Sequence, residues 1–187
     1  EWMDEPRRTE TDRIMGAYLG YLETVCASVS EQEETLDHLY ARMKDAGAIH
    51  CYGFGRSGAA ALSLAIRLRH FCEYLPPVWW VGDQARMPVR AGDLVILFSG
   101  SGERPEVLCV AEKAKSVDAT VFLVTTRTDS SIGALAQEKI VLPVLDEPFV
   151  YGGGDFEVAS YLLQEVMVAD IGTRFHIPKK EVDTYHV

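Results

Sequence analysis

Residues 98–103, Phe98-Ser99-Gly100-Ser101-Gly102-Glu103, set two Ser–Gly pairs directly after a run of strand formers, Leu94–Phe98, and before a helical pattern that begins near Arg104. Such residues pack poorly. They supply small hydroxyls, exposed backbone N–H groups and tolerance of positive φ, all of which an oxyanion such as phosphate needs. An ordinary strand-to-helix turn uses the same residue types, so this stretch alone leaves both readings open. A second stretch, Gly53-Phe54-Gly55-Arg56-Ser57-Gly58, has the G-x-G-x-x-G spacing of a dinucleotide fingerprint, and Asp83 further on could serve as a ribose-binding acid. Arg56 and Ser57 inside that spacing suit a terminal phosphate monoester better than a pyrophosphate laid on bare backbone. A third stretch, Thr125-Thr126-Arg127-Thr128-Asp129-Ser130-Ser131, is again rich in hydroxyls. Glu157 follows Gly152-Gly153-Gly154-Asp155-Phe156, where Asp155 is expected to cap a helix and Glu157 to stand in its first turn. A carboxylate there can move a proton, although complementarity with the helix dipole would place one there as well.

The elements that must hold these loops follow from periodicity. Ile14, Tyr18, Tyr21, Leu22 and Val25 predict one amphipathic helix. Ser30-Glu31-Gln32-Glu33 reads as a capping box for a second, continued by Leu36, Leu39, Tyr40 and Met43 and stopped near Gly47. The apolar faces of these two helices could pack on the core or on another subunit. From Ala48 onward strands and helices alternate. Strands are expected at Ala48–Tyr52, Val78–Val81, Leu94–Phe98, Thr120–Val124 and Lys139–Val144. Helices are expected at Gly58–Phe71, Glu106–Val117, Ser131–Gln137, Asp155–Ile171 and from Pro178 to Val187. Pro143 assigns the last strand to an edge, because proline removes a ladder donor. Continuous apolar strands joined by helices predict a parallel sheet covered on both faces, in one domain over 1–187. Three successive strands then deliver Gly/Ser/Thr loops to one carboxyl edge, where ligands of doubly wound folds bind.

Composition narrows the function classes. The 187 residues are 48% hydrophobic and 25% charged, with a net charge of −10. That balance argues against a nucleic-acid surface, but not against a small phosphorylated ligand held by local N–H groups and one or two cations. No apolar run approaches the roughly 20 residues of a membrane span. The first residues, Glu1 to Arg8, lack an apolar signal core, so secretion is not expected. Cys26, Cys51, Cys72 and Cys109 have no metal-like spacing and lie in apolar patterns, which predicts buried free thiols and a reducing cytoplasm.

Taken together, Gly55-Arg56-Ser57-Gly58, Ser99-Gly100-Ser101-Gly102-Glu103 and Thr125 to Ser130 resemble the sugar isomerase (SIS) domain of phosphosugar isomerases. Gly-Arg-Ser-Gly, the Asp-Phe-Glu ending at Glu157 and a His near the end make the 6-phospho-3-hexuloisomerase branch, of the ribulose monophosphate pathway, the most similar. The resemblance implies a three-layer α/β/α, flavodoxin-like fold with a five-stranded parallel sheet, preceded by two N-terminal helices. It also implies interconversion of D-arabino-hex-3-ulose 6-phosphate with fructose 6-phosphate, without metal or redox cofactor, in homodimers or homotetramers with shared active sites. By position, Ser57, Ser99, Ser101 and Ser130 would contact phosphate, and Arg56 would neutralise phosphate or enediolate charge. Glu157 would be the base, and His186 would relay protons between sugar oxygens. Arg104 and Pro105 depart from the family, which usually has Thr after Ser-Gly-Ser-Gly-Glu. The alternatives are a phosphosugar-binding protein without catalysis and a dinucleotide-binding oxidoreductase.

Overall fold

The computed structural model describes residues 9–185. Its first helix, α1 (Glu10–Glu31), starts at a capping box about one turn ahead of the first predicted apolar position, Ile14. The Thr9 hydroxyl accepts from the Asp12 N–H at 3.1 Å, and the Asp12 carboxylate accepts from the Thr9 N–H at 2.8 Å. Helix α2 (Glu33–Asp45) follows after a single residue. The capping box expected at Ser30 does not form. Ser30 donates instead to the Cys26 carbonyl inside α1, and Gln32, the actual N-cap of α2, makes no side-chain cap. Its carboxamide is used elsewhere, donating to the Val141 carbonyl and accepting from the Val141 N–H, both at 2.9 Å.

The alternating region gives β1 (Ile49–Gly53), α3 (Gly55–Arg69), β2 (Val78–Trp80), β3 (Leu94–Phe98), α4 (Pro105–Ser116), β4 (Thr120–Thr125), α5 (Ser131–Leu135) and β5 (Glu138–Val141), followed by α6 (Gly154–Arg174) and α7 (Lys179–Thr184). The strands form one five-stranded sheet in the order β2-β1-β3-β4-β5, every pair parallel. β5 is an edge strand as its proline predicts, and it stops before Pro143. At the other edge, β2 has only three residues, and Arg69 donates to the Val78 carbonyl at 2.8 Å.

Alternation along the strands divides the core. Ile96, Phe98, Phe122 and Val124 face α1, α2, α3 and α6, whereas Val95, Leu97, Val121 and Leu123 face α4 and α5. All five residues of β3 are buried, as a central parallel strand covered on both faces requires. Tyr21, Val25, Leu39 and Met43 join the first of these cores, so the N-terminal helices pack within the chain. The connections leaving β1 and β3 diverge to opposite faces and open a crevice at their carboxyl ends.

The expectation of buried cysteines is corrected. Only Cys51 is buried; Cys26, Cys72 and Cys109 are free and exposed. An apolar helical pattern does not fix which small residue at its margin turns outward. Among the described residues no helix is long and apolar enough to cross a membrane.

At the opposite end of the sheet, His50 is fully buried, with its Nε2 3.0 Å from Asp93 Oδ2 and its Nδ1 without a partner among the described residues. Desolvation holds the imidazole below its ordinary value, with the Asp93 carboxylate opposing that shift. The unfolded chain therefore binds a proton at this residue at a higher pH than the folded chain does. Its contribution to stability is present above about pH 6.5 and is lost as pH falls from there towards the folded value. Urea denaturation of the wild type and of His50→Gln between pH 7.5 and 5 should show a steeper loss in the wild type. Parallel curves would assign the acid sensitivity to other groups.

Candidate active site

The crevice is built from three loops. Gly53 and Gly58 bring the end of β1 and the first turn of α3 together. A Cβ on Gly53 would lie 2.7 Å from the Ser57 carbonyl oxygen, and one on Gly58 would lie 2.7 Å from the Gly53 oxygen. Between them Gly55 takes φ +60, which starts α3 earlier than the glycine-rich stretch suggests. The second loop continues the ladder through the Ser99 N–H to the Val124 carbonyl at 3.0 Å, then turns at Gly102 with φ +67. The Gly100 carbonyl accepts from the Thr126 N–H and from both the Thr125 and Thr126 hydroxyls, at 2.9–3.0 Å. The Glu103 carboxylate accepts from the Ser131 N–H at 2.8 Å. The second and third loops are thus joined to each other before any ligand arrives.

Opposite them stands the first turn of α6. Its N-cap is Gly153, and Gly152 and Gly153 both have left-handed backbone, φ +64 and +71. Asp155 does not cap the helix. Its carboxylate accepts from the Leu145 N–H at 2.9 Å, and its carbonyl accepts from the Tyr21 hydroxyl at 3.1 Å, so it ties α6 to the chain after β5 and to α1. Glu157, 8% exposed, points back to the first loop. Ser57 Oγ donates to its Oε1 at 3.0 Å, and Arg56 Nη2 lies 3.2 Å from its Oε2. That ion pair lacks hydrogen-bond alignment, which leaves Oε2 as a buried oxygen with no aligned donor among the described residues. A cleft of about 500 Å³ lies between these walls, lined by Arg56, Ser57, Ser101, Arg104, Thr126, Asp155 and Glu157 among others. A groove of about 600 Å³ between α3, α6 and α7 is somewhat larger but lies away from the glycine loops, with Phe71, Val168 and Ile177 in its wall.

The SIS domain family profile matches residues 42–164, more than half of the chain. The chain belongs to the SIS domain family. It is 30% identical over 158 residues to a 3-hexulose-6-phosphate isomerase of Methanocaldococcus jannaschii, covering 83% of this chain and 84% of that one. It is 35% identical over 136 residues to a Bacillus subtilis protein of the same name, covering 72% and 70%. The crystal structure of a hypothetical protein from Methanococcus jannaschii, from which a 3-hexulose-6-phosphate isomerase function was inferred, superposes with a TM-score of 0.85 at 25% identity over 94% of this chain and 98% of that one.

Within this SIS domain, four of the predicted site residues, Arg56, Ser57, Ser101 and Glu157, share the cleft. Ser99 and Ser130 lie behind its wall. Ser99 is 2% exposed and its hydroxyl has no partner among the described residues, whereas Ser130 caps α5 by accepting from the Gly133 N–H at 3.1 Å. Ser130 also sits directly under Gly102, where any Cβ would collide with it. Its observed contacts brace the second loop from below. His186 lies outside the described residues. Asp83 does not line the cleft; its carboxylate accepts from the Ala85 N–H at 2.9 Å in a turn after β2, so the proposed ribose acid is not beside the glycine loop. Phe54 and Thr126 also line the cleft and were not singled out from sequence. Thr126 could have been found from its hydroxyl-rich loop, but nothing local marks Phe54.

Proposed function

We propose that the chain is one SIS domain that interconverts D-arabino-hex-3-ulose 6-phosphate and fructose 6-phosphate through a cis-enediolate. The observation that carries this reading is Glu157, a buried carboxylate in the serine-lined cleft with one oxygen held by Ser57 and the other free of any aligned donor. The names of the archaeal and Bacillus relatives support the same reaction.

From the 3-ketose, Glu157 takes the proton on C2 and the electron pair moves onto the C3 carbonyl oxygen, which becomes the enediolate oxygen. The C2–C3 double bond forms, and both oxygens stand on one side of it. The proton on Glu157 then goes to C3, the O2 hydroxyl loses its proton and the C2 carbonyl closes. One carboxylate serves both carbons because they are adjacent and the intermediate is planar. Arg56, beside Glu157 and 61% exposed, supplies positive charge to the enediolate oxygens. Ser57 and Ser101 face the phosphate in the cleft, Ser99 and Ser130 support its cradle from behind, and His186 relays the proton between O2 and O3. No metal or redox cofactor enters these steps.

Exposed Leu62 and Ile66 on α3 and Val158 and Tyr161 on the neighbouring α6 support assembly into a homodimer or homotetramer with shared active sites. Four free cysteines support a reducing cytoplasm as its setting.

Fructose 6-phosphate incubated with the protein in deuterated water, followed by NMR, should take up deuterium at C3 or give the hex-3-ulose product. Binding with neither outcome at high protein concentration would leave a phosphosugar-binding protein and overturn the isomerase reading.

A further inference from the structure

We propose that Arg104 is a specificity-determining residue of the cleft, the cation that selects a phosphate dianion; this rests on the phosphosugar reading above. Two cations line the cleft, Arg56 and Arg104, together with two carboxylates, Asp155 and Glu157. Without Arg104 these charges sum to −1, one arginine against two carboxylates. Arg56 stands against Glu157, so its charge is largely matched by a buried acid. A dianion entering among two carboxylates needs a further positive charge, and Arg104 is placed to give it.

Its geometry suits that task. The Arg104 guanidinium lies 4.9 Å from the centroid of the Phe54 ring, which itself lines the cleft and is exposed. A guanidinium over a ring face uses the π-system without consuming its N–H donors, which stay open to a planar or tetrahedral anion. The backbone beneath is fixed. The Arg104 carbonyl accepts from the Val107 and Leu108 N–H groups at 3.0 and 2.9 Å, and Pro105 opens α4 behind it. The acid nearest to it, Glu106, is 3.8 Å away with both side chains about half exposed, an arrangement that holds a guanidinium weakly. Arg104 is therefore pre-oriented by Phe54 while its charge is left available.

Three consequences separate this role from simple stacking. Affinity depends on salt through Arg104, on the second ionisation of the phosphate near pH 6, and on charge more than on shape. The test uses isothermal titration with fructose 6-phosphate and with inorganic phosphate at about 50 and 300 mM salt, alongside steady-state isomerisation, for the wild type, Arg104→Gln and Arg104→Lys. Arg104→Gln should weaken fructose 6-phosphate binding and raise KM by about tenfold to a hundredfold, the scale of a lost charge-assisted contact, with kcat within about threefold. It should also flatten the salt and pH dependence of binding, and Arg104→Lys should restore much of both. Unchanged affinity and unchanged salt dependence in Arg104→Gln would overturn the proposal. If the wild type binds fructose 6-phosphate but turns none of it over, the isomerase reading fails while weakened binding in Arg104→Gln still upholds the role of Arg104. If the wild type binds neither probe, both readings fail.

Discussion

Glu157→Gln should lower isomerisation and solvent exchange by about a hundredfold to ten-thousandfold while leaving fructose 6-phosphate binding within about tenfold. The substitution keeps the volume and leaves an oxygen for the Ser57 hydroxyl, 3.0 Å from Oε1 in the native chain. What it removes is the lone pair on Oε2 that can accept a carbon-bound proton. Stability should change little, because Arg56 loses its partner but is 61% exposed and remains hydrated. Affinity is held up by the same loss, since Arg56 is released towards an incoming anion. Glu157→Asp should also be poor, as its carboxylate falls one methylene short of the carbons. Exchange of the C3 proton monitored by NMR, with calorimetry for binding, separates these effects. An exchange rate in Glu157→Gln equal to that of the wild type would remove Glu157 as the base.

The second large effect is on the scaffold. Gly53→Ala should destabilise the protein by about 3 kcal/mol, the upper end of what overpacking costs, and should lower activity in the fraction that still folds. The new methyl would stand 2.7 Å from the Ser57 oxygen, 2.8 Å from its carbonyl carbon and 2.9 Å from the Gly58 nitrogen, all backbone atoms that no rotamer change can move. Relief requires α3 to withdraw from β1, and that movement takes Arg56 and Ser57 away from Glu157. Gly16 and Gly20 provide the contrast. Both are exposed on α1 with nothing within 4 Å of an added Cβ, so alanine there should stabilise by about 0.5–1 kcal/mol. Urea denaturation of the three variants gives the comparison. A Gly53→Ala protein as stable as the wild type would show that the strand and helix can separate freely.

These two residues also mark what could be read from the chain and what could not. β3 was legible residue for residue, because Leu94–Phe98 is apolar throughout and bounded by Asp93 and Ser99. The glycine loops were legible as loops, but the start of α3 was not. The helix begins inside the glycine motif, at Gly55, since positive φ there turns the chain directly into the helix. Glu157 was legible as a first-turn acid. Its contacts with Arg56 and Ser57, about a hundred positions earlier, depend on how α6 packs against α3 and carry no local signal. Asp155 was misread for the related reason that a good capping residue is also a good acceptor for a distant N–H, here that of Leu145. Ser130 and Ser101 are alike in sequence, yet one is spent as a helix cap and the other faces the cleft.

Gln32 has a consequence for how copies of this protein can meet. Its side-chain amide has the same donor and acceptor as a peptide unit, and it occupies both hydrogen-bonding groups of Val141 on the outer side of β5. At the far side Arg69 occupies the Val78 carbonyl of a strand only three residues long. At each margin the chain's own side chains therefore occupy an outward group, both groups of Val141 and the carbonyl of Val78, and a foreign strand finds those groups already bonded. Fibre-like growth by strand addition has no free template at Val141, and contacts between copies are directed to the helical layers, where the surface is made of side chains and can be closed by symmetry.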